Sequence, residues 1–188
     1  MKRSPITLRT ADRSHARKLH ALITANLEEG RLLPRTLGEL EVHADRFTIA
    51  VRGRTIVGCA ELAPLSPVVA EVRSLAVNRS VRGKGVGTQI VEELRRRARR
   101  EGFGKLCAFT HAPAYFIQMG FSIVPHLWLP EKIFTDCVGC PHFRRCGQYA
   151  MVVPVTPFES ELDAERDRPV DAPYGDARGR AASASRWA

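Results

Sequence analysis

The chain has 188 residues, a length that suits one domain with its own hydrophobic core. Its content of 44% hydrophobic and 26% charged residues is ordinary for a globular protein, and it lacks the long apolar run that a membrane-spanning helix needs. The net charge of +9 indicates either an anionic partner, such as nucleic acid or a phosphorylated small molecule, or only a basic solvated surface.

Hydrophobic periodicity and turn residues divide residues 6–155 into strands and helices. In chain order we predict a strand at 6–9, helices at 14–29 and after 36, a hairpin of strands at 47–52 and 56–65, a strand at 70–77, a helix at 85–100, a strand at 105–110, a short helix at 112–119, and strands at 121–124 and 151–155. Ser14 is the expected N-cap of the first helix, and Thr36 with Glu39 forms a capping box for the second. From residue 156 onward Pro, Asp, Arg, Ser and Ala dominate, which predicts one domain over 1–155 and a disordered tail over 156–188.

The most informative segment is the glycine-rich turn between the strand at 70–77 and the helix at 85–100. Gly83, Gly85 and Gly87 alternate there, a spacing that differs from both the GxxxxGK[ST] phosphate loop and the GxGxxG dinucleotide fingerprint. Backbone amides at the beginning of a helix lack helical partners, and the positive end of the helix dipole favours a pyrophosphate there. Arg82 and Lys84 add positive charge to the same turn. A glycine-rich connection that binds nothing is the alternative.

Arg82-x-x-Gly85-x-Gly87 resembles the R/Q-x-x-G-x-G/A motif of GCN5-related N-acetyltransferases, and the order of elements over about residues 6–155 is similar to that fold. The resemblance implies an α/β (α+β) fold with a mixed, mostly antiparallel sheet, flanked by helices, whose motif strand splays from its neighbour. It also implies acetyl-CoA as cosubstrate, with its pyrophosphate on the amides of the turn and its pantetheine arm along the motif strand. The residues that this resemblance assigns to the cofactor are Leu75, Ala76, Val77, Arg82, Gly83, Lys84, Gly85, Val86, Gly87 and Thr88.

Two segments resemble N-acetylglutamate synthases of the short, single-domain type. Residues 30–36 (GRLLPRT) are similar to their G-x-L-x-x-R-[ST] segment, and residues 129–132 (LPEK) to their LPE segment. This resemblance implies acetylation of the α-amine of glutamate or glutamine, the first step of arginine biosynthesis. Because arginine binds carboxylates through a bidentate fork, the candidate substrate-binding residues are Arg35, Arg73 and Arg145.

The candidate general base is Glu71. An amino-acid amine is mostly protonated near neutral pH, so a base is expected before the amine attacks the thioester. Glu71 stands where the synthases carry their proposed base, and strand alternation would place it on one face with Arg73, Leu75 and Val77. A structural ion pair with Arg73 is the other reading of Glu71, and Glu61 is the second candidate base.

Two hydroxyl groups are candidates for the acid that protonates the leaving thiolate. Thr110 ends the strand at 105–110 and matches the hydroxyl position of the synthases. Many members of the superfamily use a tyrosine five residues before the phenylalanine of a Gly-Phe pair. Here Phe116 holds that position and Tyr115 precedes it, so we expect Thr110 ahead of Tyr115.

Three of the five cysteines form a compact group over about residues 136–147, an insertion in the resembling fold. Cys137, Cys140 and Cys146 would supply three thiolates to a tetrahedral structural zinc, with an iron–sulfur centre or three reduced thiols as alternatives. Cys59 and Cys107 fall in strands and are expected in the core. No apolar stretch follows Lys2 and Arg3, so no secretory signal is predicted and the expected compartment is the cytoplasm.

Three alternatives stay open at this point. The acceptor of a transferase could be a polyamine, a drug or a protein N-terminus, although a cationic acceptor would not suit an arginine in the pocket. The basic run at 95–100, together with a cysteine-bound metal, could instead mark a nucleic-acid-binding or regulatory module. We expect that run to be the solvated end of a helix, where positive charge is favourable, and we leave a homodimer open as the assembly.

Overall fold

A seven-stranded sheet runs through residues 4–27 and 32–155, the residues that the computed structural model describes. Its strands are β1 (Ile6–Thr10), β2 (Phe47–Arg52), β3 (Thr55–Pro64), β4 (Val69–Val77), β5 (Lys105–Thr110), β6 (Ser122–Val124) and β7 (Tyr149–Pro154). They lie in the order β1-β2-β3-β4-β5-β7-β6, and the paired strands are antiparallel except for β4 with β5. This arrangement confirms the predicted fold class. The tail predicted over 156–188 lies outside the described residues.

Helices cover both faces of the sheet. They are α1 (Ala16–Leu27), α2 (Leu37–Val42), α3 (Val86–Arg100), α4 (Pro113–Ile117) and α5 (Pro130–Lys132). On one face α3 packs Ile90 and Leu94 against the strands, because its apolar residues recur at helical spacing. On the other face Leu19 of α1 and Leu40 of α2 belong to a second core with Phe47. No helix within 4–27 or 32–155 has the length and apolar character needed to cross a membrane.

The starts of the first two helices test the predicted caps. The Asp12 carboxylate accepts a hydrogen bond from Ser14 N at 2.8 Å and begins a 3₁₀ turn that leads into α1. The prediction of Ser14 as N-cap was therefore wrong, since its own hydroxyl donates to Asp12. The capping box is confirmed: Glu39 N donates to Thr36 Oγ1 at 3.2 Å, and Thr36 N donates to Glu39 Oε2 at 2.9 Å. The predicted end of the first helix, at about residue 29, lies outside the described residues.

A β-bulge interrupts the pairing of β3 with β4. The register joins Glu61 to Arg73 but Cys59 to Ala76, so β4 carries one extra residue between these pairs. Ser74, in this extra stretch, has a φ of 54°, a left-handed value that is uncommon for residues other than glycine. The bulge therefore fixes a strained point in the middle of β4.

The bulge reverses which side chains of β4 face α3. Val72 packs in the α3 core before the bulge, and Leu75 and Val77 pack against that same core after it. Glu71 and Arg73 precede the bulge and alternate with Val72, so they lie on the opposite face, towards α1. The prediction that Glu71 and Arg73 share a face with Leu75 and Val77 was wrong, because alternation does not continue through a bulge.

β4 and β5 separate soon after they begin. Their parallel pairing covers three rungs, the last of which joins Glu71 to Cys107, although β4 continues to Val77 and β5 to Thr110. Beyond that rung a wedge opens between the strands, and the backbone of β4 over residues 72–77 has no sheet partner on this side in the described part of the chain. The splayed motif strand predicted from the resemblance is therefore confirmed.

A helical segment between β6 and β7 was absent from the sequence prediction. α5 continues into a single π-helical turn, Ile133–Cys137, in which Val138 N donates to Ile133 O at 3.1 Å. Such turns are rare in general and frequently lie at functional sites. This one carries Asp136, and α5 carries Lys132.

Candidate active site

The beginning of α3 lies beside the end of β4 and is built to accept an anion. Gly83 and Gly85 have φ values of 72° and 73°, which only glycine adopts without strain. Gly85 is the N-cap of α3, and no side chain of the described residues caps that helix. The first amides of this 15-residue helix are therefore free to bind a ligand such as a pyrophosphate.

The two cations of the glycine turn are held by the fold. Arg82 Nε donates to Val77 O at 3.0 Å, and its Nη2 donates to Asn26 Oδ1 at 2.6 Å, so Arg82 links the end of β4 to α1. Lys84 Nζ donates to Ser80 O at 3.2 Å. These contacts keep both positive charges beside the beginning of α3, where they favour an anionic ligand.

The predicted cofactor residues differ in how exposed their side chains are. The side chains of Ala76 and Val86 are buried in the core, so these two residues could contact a ligand only through their backbones. Leu75 and Val77 are partly buried and pack against the α3 core. Gly83, Lys84 and Gly85 are exposed on the turn, and Gly87 and Thr88 lie half-buried in the first turn of α3.

Tyr115 of α4 reaches the first turn of α3. A Cβ atom on Gly87 would lie 2.6 Å from Tyr115 Oη, so the hydroxyl occupies the space that glycine leaves. Burial raises the pKa of the Tyr115 phenol above its ordinary 10, and the Thr88 hydroxyl partly offsets this. Phe116, at the position where the superfamily has its tyrosine, is instead buried in the core with its ring 5.2 Å from that of Phe121.

Thr110, the preferred candidate acid, ends β5 on the far side of the wedge. Its Oγ1 accepts a hydrogen bond from Ala112 N at 3.0 Å. This contact leaves the hydroxyl proton of Thr110 available to a ligand, because a threonine hydroxyl both accepts and donates.

Glu71, at the vertex of the wedge, belongs to a buried ion cluster with Arg73, Lys132 and Asp136. Arg73 Nη2 donates to Glu71 Oε2 at 2.6 Å and to Asp136 Oδ2 at 2.5 Å. Lys132 Nζ donates to the same two oxygens, at 2.8 Å each. The two cations and two carboxylates balance in charge. The ion pair of Glu71 with Arg73 that the sequence suggested is therefore present.

The ion cluster is shielded from solvent to different degrees. The side chain of Glu71 is 5% exposed and that of Lys132 is 12% exposed, whereas that of Asp136 is 33% exposed. Burial raises the pKa of Asp136, but the hydrogen bond from Lys132 and the charge of Arg73 outweigh it and hold this pKa below 3.8. Burial also opposes the charge on Arg73, yet Glu71 and Asp136 raise its pKa above its ordinary value. The charges and hydrogen bonds within the cluster therefore favour the ionised forms of Asp136 and Arg73.

A second ion pair lies next to this cluster on the same face. Arg35 Nη1 donates to Glu61 Oε2 at 2.7 Å and to Ser74 Oγ at 3.2 Å, and Glu61 is 1% exposed. Arg35 Nε is buried and has no hydrogen-bond partner in the described residues, although Glu39 Oε1 lies 3.7 Å from it. The Arg35 fork is therefore only partly used, which leaves it able to bind a further acceptor group.

The three candidate arginines thus have different outcomes. Arg35 and Arg73 lie in neighbouring ion pairs, and their role in binding a substrate carboxylate stays a prediction. Arg145 is exposed on the 3₁₀ turn Phe143–Arg145, and no ion pair joins its side chain to the cluster in the part of the chain that the structure describes. Lys132 lies in the cluster instead. Sequence analysis included Lys132 in the LPEK segment but gave it no role, because its i,i+4 spacing to Asp136 has meaning only in a helix.

The cysteine group does not form the predicted zinc site. Cys137 and Cys140 are half-buried and Cys146 is exposed. Among the described residues, no group of three or more His, Cys, Asp or Glu side chains is arranged to hold a metal ion. Cys59 and Cys107 are buried in the core as predicted, and burial raises the pKa of the Cys59 thiol to about 12.

Comparisons with known proteins point to one family. The model of the acetyltransferase (GNAT) family matches residues 14–121. The uncharacterized N-acetyltransferase CT2212 of Chlorobaculum tepidum is 32% identical over 124 residues, which are 66% of this chain and 80% of that protein. The amino-acid acetyltransferase of Escherichia coli K12 is 31% identical over 107 residues, which are 56% of this chain and 24% of that protein. The chain therefore spans about a quarter of the length of the amino-acid acetyltransferases that it matches.

Two solved structures are also similar to this chain. N-acetylglutamate synthase from Neisseria gonorrhoeae, complexed with coenzyme A and N-acetyl-glutamate, is 25% identical with a TM-score of 0.73, over 83% of this chain and 36% of that chain. Rv2747 from Mycobacterium tuberculosis, solved with CoA, is 22% identical with a TM-score of 0.67, over 79% of this chain and 98% of that chain. The second likeness shows the fold alone.

Proposed function

The chain belongs to the acetyltransferase (GNAT) family, and from that premise we propose that it moves the acetyl group of acetyl-CoA to the α-amine of glutamate or glutamine in the cytoplasm, as the first step of arginine biosynthesis. The proposal that acetyl-CoA is the donor rests on the uncapped beginning of α3 beside the wedge between β4 and β5. Amides there would bind the pyrophosphate, and the unpaired backbone of β4 would bind the pantetheine arm. The N-acetylglutamate synthase from Neisseria gonorrhoeae, which was solved with coenzyme A, supports this assignment.

The acceptor half rests on the cations across the sheet from α3. Arg35, Arg73 and Lys132 lie in buried or half-buried ion pairs next to the vertex of the wedge. An amino acid carries carboxylate groups that such cations bind, whereas a polyamine would place its positive charges against theirs. This arrangement favours an amino-acid acceptor over a polyamine. The same reasoning disfavours a drug whose only charges are amines.

Glu71 is the proposed general base and lies at the vertex. It would take a proton from the acceptor amine, directly or through one water, so that the neutral nitrogen attacks the thioester carbonyl carbon. As the C–N bond forms, the C–S bond breaks and coenzyme A leaves as a thiolate. Thr110 or Tyr115 could supply the proton that this sulfur takes. The hydroxyl of the half-buried Tyr115 lies by Gly87 at the pyrophosphate end, whereas Thr110 ends β5 across the wedge from β4, so we assign the acid role to Thr110.

An acceptor screen tests the proposal. The purified chain is incubated with acetyl-CoA and, separately, with glutamate, glutamine, a polyamine and a peptide with a free N-terminus, and the release of coenzyme A is followed. We expect turnover with glutamate or glutamine that is at least about tenfold faster than with the other amines. Turnover of the polyamine or the peptide alone would reject the amino-acid reading and leave the family membership intact.

A further inference from the structure

Asp136 is the one member of the ion cluster that is placed to leave it. Its Oδ2 receives hydrogen bonds from Arg73 and Lys132, the two cations that also bind Glu71. Glu71 is anchored on β4 and almost fully buried, but Asp136 sits on the π-helical turn Ile133–Cys137 and is 33% exposed. A π-helical turn is rare and frequently lies at a functional site, and this one holds the most exposed carboxylate of the cluster.

Departure of Asp136 would leave an attractive place for a carboxylate. Arg73 and Lys132 would then share the single negative charge of Glu71, and the buried cluster would carry one net positive charge. Buried unpaired charge is costly, so an incoming carboxylate restores the balance that Asp136 provided. An α-carboxylate also lies one carbon from the α-amine. A group bound in the place of Asp136 would therefore present its amine next to Glu71.

We infer that Asp136 stands in for the acceptor's α-carboxylate, and that this carboxylate displaces Asp136 to bind Arg73 and Lys132. The inference rests on the proposed function and deepens it by assigning the two ends of the acceptor. The α-carboxylate binds Lys132 and Arg73, the amine lies beside Glu71, and Arg35 is left for the side-chain carboxylate or amide. The acceptor carboxylate then competes with Asp136 for Arg73 and Lys132.

The first experiment removes the competitor. Asp136→Asn should lower the KM for glutamate by about threefold or more with kcat little changed, because the fraction of protein ready to bind rises. Asp45→Asn, an exposed aspartate on a different turn, is the matched control and should leave the KM unchanged. If Asp136 only clamped its segment in place, its removal would raise the KM, and that result or an unchanged KM would overturn the inference.

The second experiment removes a cation and varies the acceptor. Wild type should prefer glutamate over its α-carboxamide by about tenfold or more in kcat/KM, since the amide cannot form the charged hydrogen bonds. Lys132→Met should reduce this preference to about threefold or less. Lys132→Arg keeps the positive charge and should keep a stronger preference than Lys132→Met, which distinguishes loss of the charge from loss of folding. Lys105→Met changes an exposed lysine at the start of β5 and should behave like wild type.

The two experiments separate the inference from the function on which it rests. Turnover of glutamate with an unaltered preference in Lys132→Met would overturn the role of Lys132 and leave the acceptor assignment standing. No turnover of any amino acid by wild type would reject the proposed function itself. Calorimetric binding of glutamate in the presence of coenzyme A gives a second readout, because Asp136→Asn should tighten it by the same factor as it lowers the KM.

Discussion

Glu71 lies at the last rung that joins β4 to β5, where donor and acceptor would meet. Glu71→Gln keeps the size of the side chain but removes the group that accepts a proton. We expect kcat to fall by about 100-fold or more, a typical loss for a general base, with binding of coenzyme A little affected. Initial rates with glutamate near neutral pH, together with calorimetric titration of coenzyme A, check this.

Glu61→Gln is the matched comparison, since Glu61 was the second candidate base and is equally buried. Its partner is Arg35, so its loss should act mainly on the KM of the acceptor. If Glu61→Gln lowers kcat by that factor and Glu71→Gln does not, the two glutamates exchange roles. If Glu71→Gln retains full activity at neutral pH, Glu71 is not the base and has only a structural role in its ion pairs.

Single residues were predictable from sequence where a local motif carries them. Arg35 stands in a short motif and Gly85 in a glycine turn; in the structure Arg35 donates to Glu61, and Gly85 is the N-cap of α3. Lys132 and Asp136 have no such motif. Their partners Glu71 and Arg73 lie about 60 residues earlier in the chain, 61 positions for Lys132 with Glu71 and 63 for Asp136 with Arg73. Long-range ion pairs of this kind leave no periodic trace in a sequence.

Among the elements, those with strong periodicity were predictable and those fixed by tertiary contacts were not. α3 begins one residue after its predicted start and β5 has its predicted bounds, because apolar spacing and flanking glycines define both. The bulge at Ser74 escaped prediction. A serine in a run of strand-forming residues gives no sign that the backbone will adopt a positive φ. The π-helical turn was not predicted either, because the ion pairs of its Asp136 join it to residues far away in the sequence.

The packing of β3 on α3 gives a prediction at the scale of elements. A Cβ on Gly58 would lie 2.8 Å from Ile90 Cδ1 and 3.3 Å from Val86 Cγ1, so Gly58→Ala should destabilise the fold by about 1–3 kcal/mol through overpacking. Gly38→Ala is the control, because nothing lies within 4 Å of its Cβ position in α2. That change should stabilise by up to about 1 kcal/mol. Urea unfolding measures both, and equal shifts in the same direction would contradict the packing argument.

For the molecule as a whole, the net charge of +9 raised the question of whether the basic run at 95–100 has an anionic partner. The basic run at the end of α3 contacts carboxylates or carbonyl oxygens of the described residues. The pairs are Arg95 with Pro154 O, Arg96 with Glu93, Arg97 with Glu101, Arg99 with Val155 O, and Arg100 with Glu93. These contacts fit the solvated helix end expected from sequence, so the run does not require a nucleic-acid partner.

The ion cluster joins β4 to the segment at 130–137 and should make stability depend on acid. The pKa of Asp136 in the folded chain is held below 3.8, so its carboxylate stabilises the fold above about that pH, and the stabilisation is lost as the pH falls through the lowered pKa. The difference in Tm between wild type and Asp136→Asn should therefore be largest near neutral pH and shrink below pH ~3.8. Asp45→Asn should track wild type. A difference that stays constant down to pH ~2 would contradict the role of the charge.

The bulge at Ser74 also bears on the kinetic order of the reaction. Before the bulge Glu71 and Arg73 face α1, so the acceptor would lie on that face, whereas the donor would lie along the unpaired backbone of β4 that leads to α3. Two reactants with separate binding sites that meet only at the reacting atoms can reside on the protein together, and no acetylated intermediate is needed to pass the group between them. Double-reciprocal plots at several fixed concentrations of the second substrate should intersect, whereas parallel lines would mean that the protein itself carries the acetyl group between two half-reactions.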